Sequence, residues 1–186
     1  MGLFGWGKKQ QGENRPPQRE RSSDDPVASL LATYDPNVEL GPSEAADLGA
    51  KLRAIHERIK RDEGIPDGRL YPMLRKLESE ASCVRGRPYF EWVETLDELR
   101  SSGDDDAGLA LLLECIEAAE RAARVSGMEP APGYTKRAAV IYRRRKDYAR
   151  EIEMMERWES VSPPQYQGAM AKRLAAAKSL RQKDLQ

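Results

Sequence analysis

The chain has 186 residues, of which 31 are basic and 31 acidic, and 39% of its side chains are hydrophobic. A formal net charge of zero argues against a general nucleic-acid binder, although it remains compatible with a local basic patch. No apolar run reaches the ~18 residues that a membrane-spanning helix needs. The length suits one domain with a tail.

The cysteine usage indicates a reducing compartment. Cys83 and Cys115 each lie in an apolar-patterned segment, and neither has a partner close by in the sequence. We therefore expect two buried free thiols rather than a disulfide, and a cytoplasmic protein.

Residues 1–26 are predicted to be a disordered tail. Positions 7–26 combine glycine, proline, glutamine and charge almost without apolar side chains to bury. At the very start, Leu3, Phe4 and Trp6 precede two lysines. Contact of this segment with an anionic membrane surface stays open as an alternative.

From Val27 onward, helix breakers separate segments of helical periodicity, so we predict an all-α domain over residues 27–186. The first segment stops at Asp35. In the second, Ser43 is the predicted N-cap and Gly64 ends the helix. The apolar residues of the second and third segments recur at spacings of three and four: Leu48, Leu52, Ile55 and Ile59, then Leu70, Met73, Leu74, Leu77 and Ala81.

The remaining predicted helices lie within 88–103, 104–127, 131–146, 147–162 and 166–182. Gly127 supplies a left-handed C-cap, and Asp147 caps the helix that follows it. Glu117 with Arg121, and Glu120 with Arg124, are predicted i,i+4 ion pairs on the far, solvated face of helix 104–127. We place no strand in the sequence.

An internal repeat joins these helices. The segment from Leu70 aligns with the segment from Leu111, which places Val84-Arg85-Gly86 on Val125-Ser126-Gly127. The aligned residues are 41 positions apart at the start of the alignment. They are 43 positions apart at its end, where Gly103-Asp104 aligns with Lys146-Asp147. A repeat of this length predicts a short α-solenoid of two to three stacked helical hairpins with a C-terminal capping helix.

Residues 134–163 resemble a tetratricopeptide repeat. The first helix has Ala138-Ala139 midway and Tyr142 one turn later. A Lys-Asp-Tyr turn follows where that family usually has Gly-Asp-Tyr, and Pro163 ends the unit. The preceding hairpin is similar through Trp92, Gly103-Asp104, Gly108 and Cys115, so the resemblance covers residues 88–165. Glu151 and Trp158 depart from the family, which has small residues there.

The resemblance implies a groove for a peptide, lined by the first helix of each hairpin. Its predicted partner-binding residues are Phe90, Val93, Asp97 and Arg100 from one hairpin and Lys136, Val140, Arg143 and Arg144 from the next. Arginine and lysine donors would favour an extended segment with acidic or carboxylate groups. The leading hypothesis is therefore a non-enzymatic adaptor for a protein or peptide. A merely solvated basic face stays open.

A DNA-binding or DNA-associated regulatory protein is the alternative hypothesis. Residues 67–81, "DGRLYPMLRKLESEA", resemble the recognition-helix region of PadR-type winged-helix regulators. The resemblance implies Arg69, Arg75 and Lys76 of the 68–80 helix as groove or phosphate contacts. The 143–146 basic cluster is a second candidate. Too little chain follows the helix for a two-stranded wing, which favours an early hairpin helix instead.

The sequence suggests no catalytic or metal site and no cofactor. His56 is the single histidine and has no spaced second ligand. The run Asp104-Asp105-Asp106 lacks the alternating spacing of a calcium loop, so we interpret it as a helix N-cap. No glycine-rich phosphate loop or activated nucleophile is visible.

Overall fold

A computed structural model describes residues 25–35, 37–63 and 68–186. The predicted tail lies outside these residues, except for its last two positions. The predicted helix end at Gly64 also lies outside them. The chain divides into two units, Met1–Tyr34 and Asp35–Gln186. In the first unit, α1 (Pro26–Thr33) begins after Asp25, whose carboxylate accepts a hydrogen bond from the Val27 N–H at 2.9 Å.

The second unit confirms the all-α prediction. Its described helices are α2 (Pro42–Glu63), α3 (Leu70–Ala81), α4 (Val93–Ser102), α5 (Asp105–Ser126), α6 (Pro132–Arg144), α7 (Tyr148–Val161) and α8 (Ala171–Asp184). A 3-10 turn, Tyr89–Trp92, leads into α4, and another, Pro164–Tyr166, follows α7.

One short antiparallel ladder was missed by the sequence prediction of no strands. Strands β1 (Cys83–Val84) and β2 (Arg87–Pro88) pair through a turn in which Arg85 and Gly86 have φ of 49° and 80°. Two consecutive left-handed residues form the tight hairpin turn that matches strand twist. Trp92 secures the ladder, because its indole N–H donates to the Val84 carbonyl at 3.1 Å.

The predicted N-cap at Ser43 is wrong by two residues. The helix begins at Pro42, whose fixed φ suits the first helical position. Glu44 then reaches back, and its carboxylate accepts a hydrogen bond from the Gly41 N–H at 2.8 Å. This is half of a capping box, with the glutamate three residues after the cap.

The turns that follow α4 and α6 have the same geometry. Gly103 and Lys146 both take a left-handed φ, 76° and 57°. Each is followed by an aspartate, Asp104 or Asp147, whose side chain caps the next helix. The Asp104 N–H bonds the Leu99 carbonyl and the Asp147 N–H bonds the Tyr142 carbonyl, at 3.0 and 2.9 Å. These residues are related by the later repeat offset found in the sequence.

Helix α5 lies at the centre of the second unit and packs against α2, α3, α4 and α6. The main core cluster gathers its apolar residues with those of α4, α6, the ladder and α7: Val84, Trp92, Leu96, Leu109, Leu111, Leu112, Cys115, Ile116, Ala118, Tyr134, Ala138, Ile141, Tyr142 and Met154. A second cluster joins α7 to α8 through Ile152, Met155, Trp158, Met170 and Ala177.

The predicted solvated face of α5 is partly buried. Glu120 is only 3% exposed, and its two carboxylate oxygens accept hydrogen bonds from Arg157 of α7 at 2.7 Å each. The predicted i,i+4 ion pair is also present, because the Arg124 guanidinium lies 3.7 Å from the Glu120 carboxylate. Arg121 donates to the carbonyls of Ala81 and Cys83, at 3.2 and 2.9 Å. Both ionic side chains therefore connect α5 to other elements.

Candidate functional site

A cavity of about 260 Å³ lies between α4, α5 and α6, with one residue contributed by α8. Its floor is apolar, and its rim is mainly basic. The floor consists of Leu96, Gly108, Leu112, Val140 and Ile141, and the rim of Arg100, Asp104, Asp105, Lys136, Arg137, Arg144 and Arg173. Five rim side chains are cationic and two are anionic. We call this the basic cavity.

The structure brings together four of the predicted partner-binding residues, Arg100, Lys136, Val140 and Arg144, in the basic cavity. Phe90, Val93 and Asp97 line a separate shallow groove along α4. Arg143 belongs to neither set. Four of the predicted residues therefore line the basic cavity, and three line the groove along α4. The eighth, Arg143, forms an ion pair between α6 and α7 instead.

Arg137 and Arg173 were not among the predicted site residues. Arg137 lies one position after Lys136 on α6, and its guanidinium is 3.1 Å from the Asp97 carboxylate of α4. Arg173 comes from α8, for which the sequence predicted only a capping role. No sequence pattern shows which surface a terminal helix packs against. Nothing in the sequence therefore marked Arg173 as a residue of this cavity.

Ion pairs within the chain engage only part of the cationic rim. Arg144 pairs with Asp105 at 2.6 Å, and Asp97 holds Arg137. Lys136 and Arg173 have no ion-pair partner among the described residues. Two lining cations are thus available to an outside carboxylate, beside an apolar floor.

The basic run 143–145 is neutralised within the chain. Arg143 holds Glu151, a fully buried carboxylate of α7, through contacts of 2.6 and 3.1 Å. Arg144 and Arg145 pair with Asp105 and Asp106 at the start of α5, at 2.6 and 2.7 Å. Asp104 caps α5 by accepting from the Ala107 N–H at 3.0 Å. The acidic run therefore caps α5, as its position at a helix start predicts. It also binds the arginines at the end of α6, which the sequence did not predict.

The buried thiol at the core is chemically quiet near neutral pH. Cys115 is fully buried and free, and burial raises its pKa to about 11. Tyr134 lies in the same cluster and donates its hydroxyl to the Tyr89 carbonyl at 3.2 Å. Burial likewise raises the pKa of Tyr134 to about 12. Both groups stay protonated, so neither is a ready nucleophile.

The single histidine lies beside an aromatic ring. His56 of α2 contacts the Tyr71 ring edge to face, with centroids 5.2 Å apart. In the described parts of the chain, no three histidine, cysteine, aspartate or glutamate side chains converge into a metal-binding group. Within the same residues, no helix has both the length and the apolar character required to cross a bilayer.

Comparison of the chain with protein-family models, with curated proteins and with solved structures finds no match.

Proposed function

We propose that the chain is a non-enzymatic cytoplasmic adaptor that binds a partner protein through a short apolar and acidic segment seated in the basic cavity. The observation that carries this proposal is the pair Lys136 and Arg173, which flank an apolar floor without an ion-pair partner in the described chain. Surface cations are common, but two of them beside an open apolar floor are suited to a carboxylate on an apolar chain.

The size of the cavity sets the scale of the ligand. A volume of about 260 Å³ is below the usual range of roughly 300 to 1,000 Å³ for sites that enclose a small molecule. It accommodates one large apolar side chain of a peptide, while neighbouring carboxylates of the same peptide meet Lys136 and Arg173 at the rim. A short linear segment of a protein fits this description better than a compact metabolite.

A solenoid arrangement is part of the same proposal. The matching turns after α4 and α6 support a repeated hairpin unit, and the first helices of those units, α4 and α6, both line the basic cavity. In a short helical array, that is the surface on which an extended segment lies. Helix α8 would then close the array and contribute Arg173.

DNA binding is the second candidate, and one observation favours it. A two-stranded ladder does follow α3, although the sequence analysis expected too little chain for a two-stranded wing. The ladder is short, and its arginines are engaged: Arg85 bonds Glu114 at 2.8 Å through Nε, and Arg87 stacks on Trp92 at 3.8 Å. The 143–145 cluster is neutralised by carboxylates. The peptide hypothesis therefore has the stronger support.

A titration with labelled peptides tests the adaptor proposal. The probe is an eight-residue peptide that alternates leucine or phenylalanine with glutamate, and its control has lysine in place of each glutamate. We expect the wild-type chain to bind the acidic probe and Lys136→Glu/Arg173→Glu to bind it at least about tenfold more weakly. The matched control, Lys51→Glu/Arg58→Glu on the exposed face of α2, should bind like wild type. Equal binding by both double variants would refute the cavity as the site.

A duplex DNA titration separates the second candidate. Binding through several phosphates falls steeply between about 50 and 200 mM salt, whereas a partly apolar peptide site keeps most of its affinity. We expect little DNA binding even at the lower salt concentration. Tight, salt-sensitive DNA binding that is lost in Arg75→Glu would favour the DNA hypothesis instead.

A further inference from the structure

The 3-10 turn that leads into α4 exposes an aromatic side chain that the fold holds in place. Phe90 is 58% exposed and Val93 is 39% exposed, and both line the shallow α4 groove. The Phe90 ring meets Tyr89 edge to face at 5.6 Å, and Tyr89 meets Tyr134 in the same way at 5.4 Å. An aromatic residue anchored this way loses little rotamer freedom on binding, which is typical of interface anchors.

Three carboxylates border this aromatic surface. Glu91, Glu94 and Glu98 line the α4 groove, are exposed, and have no ion-pair partner among the residues that the structure describes. Glu94 and Glu98 are four residues apart, a spacing at which like charges destabilise an isolated helix. Glu94 lies in the first turn of α4, where a carboxylate stabilises the helix, but Glu98 lies beyond that turn. The surface is thus suited to a cationic partner.

The outward face of α8 has the complementary character. Its exposed residues Lys172, Ala175, Ala176, Ser179 and Lys183 fall on one side of the helix, while Leu174 and Ala177 face α7. Lys172 and Lys183 have no ion-pair partner in the described chain, and α8 has five basic side chains against the one carboxylate of Asp184. Small side chains between two lysines leave room for a bulky aromatic neighbour.

We propose that the α4 groove binds α8 of a second copy of this chain. Phe90 and Val93 pack on the Ala175, Ala176 and Ser179 stretch, and the lysines at its ends meet the glutamates of α4. The two lysines are separated by about 16 Å along the helix. Each copy carries both surfaces, so a two-fold pair satisfies two such contacts at once. This pairing and the peptide site use different residues: Lys136, Arg173 and the cavity floor take no part in the pairing, although Arg173 neighbours Lys172 on α8.

Measuring the molar mass of the full-length chain against concentration tests the pairing. We expect the wild type to dimerise, and more tightly at low salt because the contact is partly ionic. Glu94→Lys/Glu98→Lys and Lys172→Glu/Lys183→Glu should each raise the dissociation constant at least about tenfold. Phe90→Ala should weaken pairing without changing charge. The matched control Glu57→Lys/Asp62→Lys on α2 should pair like wild type, and circular dichroism should show every variant to be helical.

The decisive experiment mixes the two charge-reversed variants, Glu94→Lys/Glu98→Lys and Lys172→Glu/Lys183→Glu. In the mixture, the lysines placed on α4 of one variant face the glutamates placed on α8 of the other, and the converse contact is also complementary. We expect the equimolar mixture to dimerise about as tightly as the wild type, whereas each variant alone dimerises at least about tenfold more weakly. A mixture that stays monomeric, or a wild type that is monomeric at every accessible concentration, overturns the proposal.

Discussion

At the scale of single residues, the ion pair between Arg143 and Glu151 explains what the first arginine of the basic run does. Glu151 is fully buried in α7, and the guanidinium of Arg143 supplies its counter-charge from α6. A buried carboxylate without such a partner costs several kcal/mol. Arg143 is therefore committed to the hairpin of α6 and α7.

Removing Arg143 should destabilise the protein more than removing its neighbour. We expect Arg143→Ala to lower the free energy of unfolding by about 2 to 4 kcal/mol, because it leaves a buried charge unpaired. Arg144→Ala removes an exposed ion pair with Asp105 and should cost less than about 1 kcal/mol. Urea denaturation measures both. Arg143→Met/Glu151→Leu should recover most of the loss, and equal losses for the two single variants would contradict this account.

The sequence predicted residues whose partners are local and missed those whose partners lie on another helix. Asp147 as an N-cap and Gly127 as a C-cap were correct, because each bonds a backbone group within a few residues. The pairing of Glu120 with Arg157 was missed, since the sequence offered Arg124 at an equally good local spacing. Likewise, the four cavity residues could be named from the faces of two helices, α4 and α6, but Arg173 could not.

At the scale of elements, the crossing of α2 and α5 depends on the absence of a side chain at Gly49. A Cβ atom at this position would lie 2.6 Å from the Val125 carbonyl oxygen of α5. Arg53, one turn later on α2, donates hydrogen bonds to the Arg124 and Val125 carbonyls at the end of α5. A cation at a helix C-terminus is favourable. Close backbone approach and this cap together fix the crossing.

Gly49→Ala should therefore destabilise the protein, although alanine is the better helix former. We expect a loss of about 1 to 3 kcal/mol, because α2 must move away from α5. Gly108→Ala is the matched control within α5: its Cβ would lie 3.7 Å from the nearest atom, the Leu99 Cβ, which is an ordinary contact. That variant should be neutral or stabilised by up to about 1 kcal/mol. Thermal unfolding compares the two, and a stabilised Gly49→Ala would show that the crossing tolerates a methyl group.

The elements also differ in how far sequence could predict them. Helices of ten or more residues carry enough periodicity to be recognised, and all seven described in the second unit were identified, although α4 and α8 begin five residues after their predicted segments. Strands β1 and β2 have two residues each, which is too short for any alternation of burial. The signal that could have found them is Arg85-Gly86 directly after the apolar pair Cys83-Val84, a weak hairpin-turn pattern.

At the scale of the whole molecule, stability should depend on alkaline pH through the core. The folded pKa of Cys115 is about 11, against an ordinary value of 9.0, and that of Tyr134 is about 12, against 10.0. Above about pH 9 the unfolded thiol loses its proton while the folded thiol keeps it. The folded state then binds more protons than the unfolded state, so the free energy of unfolding falls as pH rises.

We expect the free energy of unfolding to drop by about 1 kcal/mol through Cys115 between pH 8 and pH 10, and further as pH approaches 11. Cys115→Ala should be less stable at pH 8, since it leaves a small cavity, but should show a shallower decline over the same range. Urea midpoints at both pH values measure the difference. Parallel declines in wild type and variant would mean that the thiol does not titrate as its burial requires.

The position of α5 also bears on how the chain is made. Helices α2 and α3 precede α5, yet both pack against it, and the carbonyls that Arg53 caps belong to residues 124 and 125. During synthesis, the ribosome must therefore release the chain beyond residue 126 before these two helices can bury their apolar faces. Until then, the apolar side chains of Leu52, Leu70 and Leu77 lack the α5 surface, and the incomplete chain is prone to non-specific association.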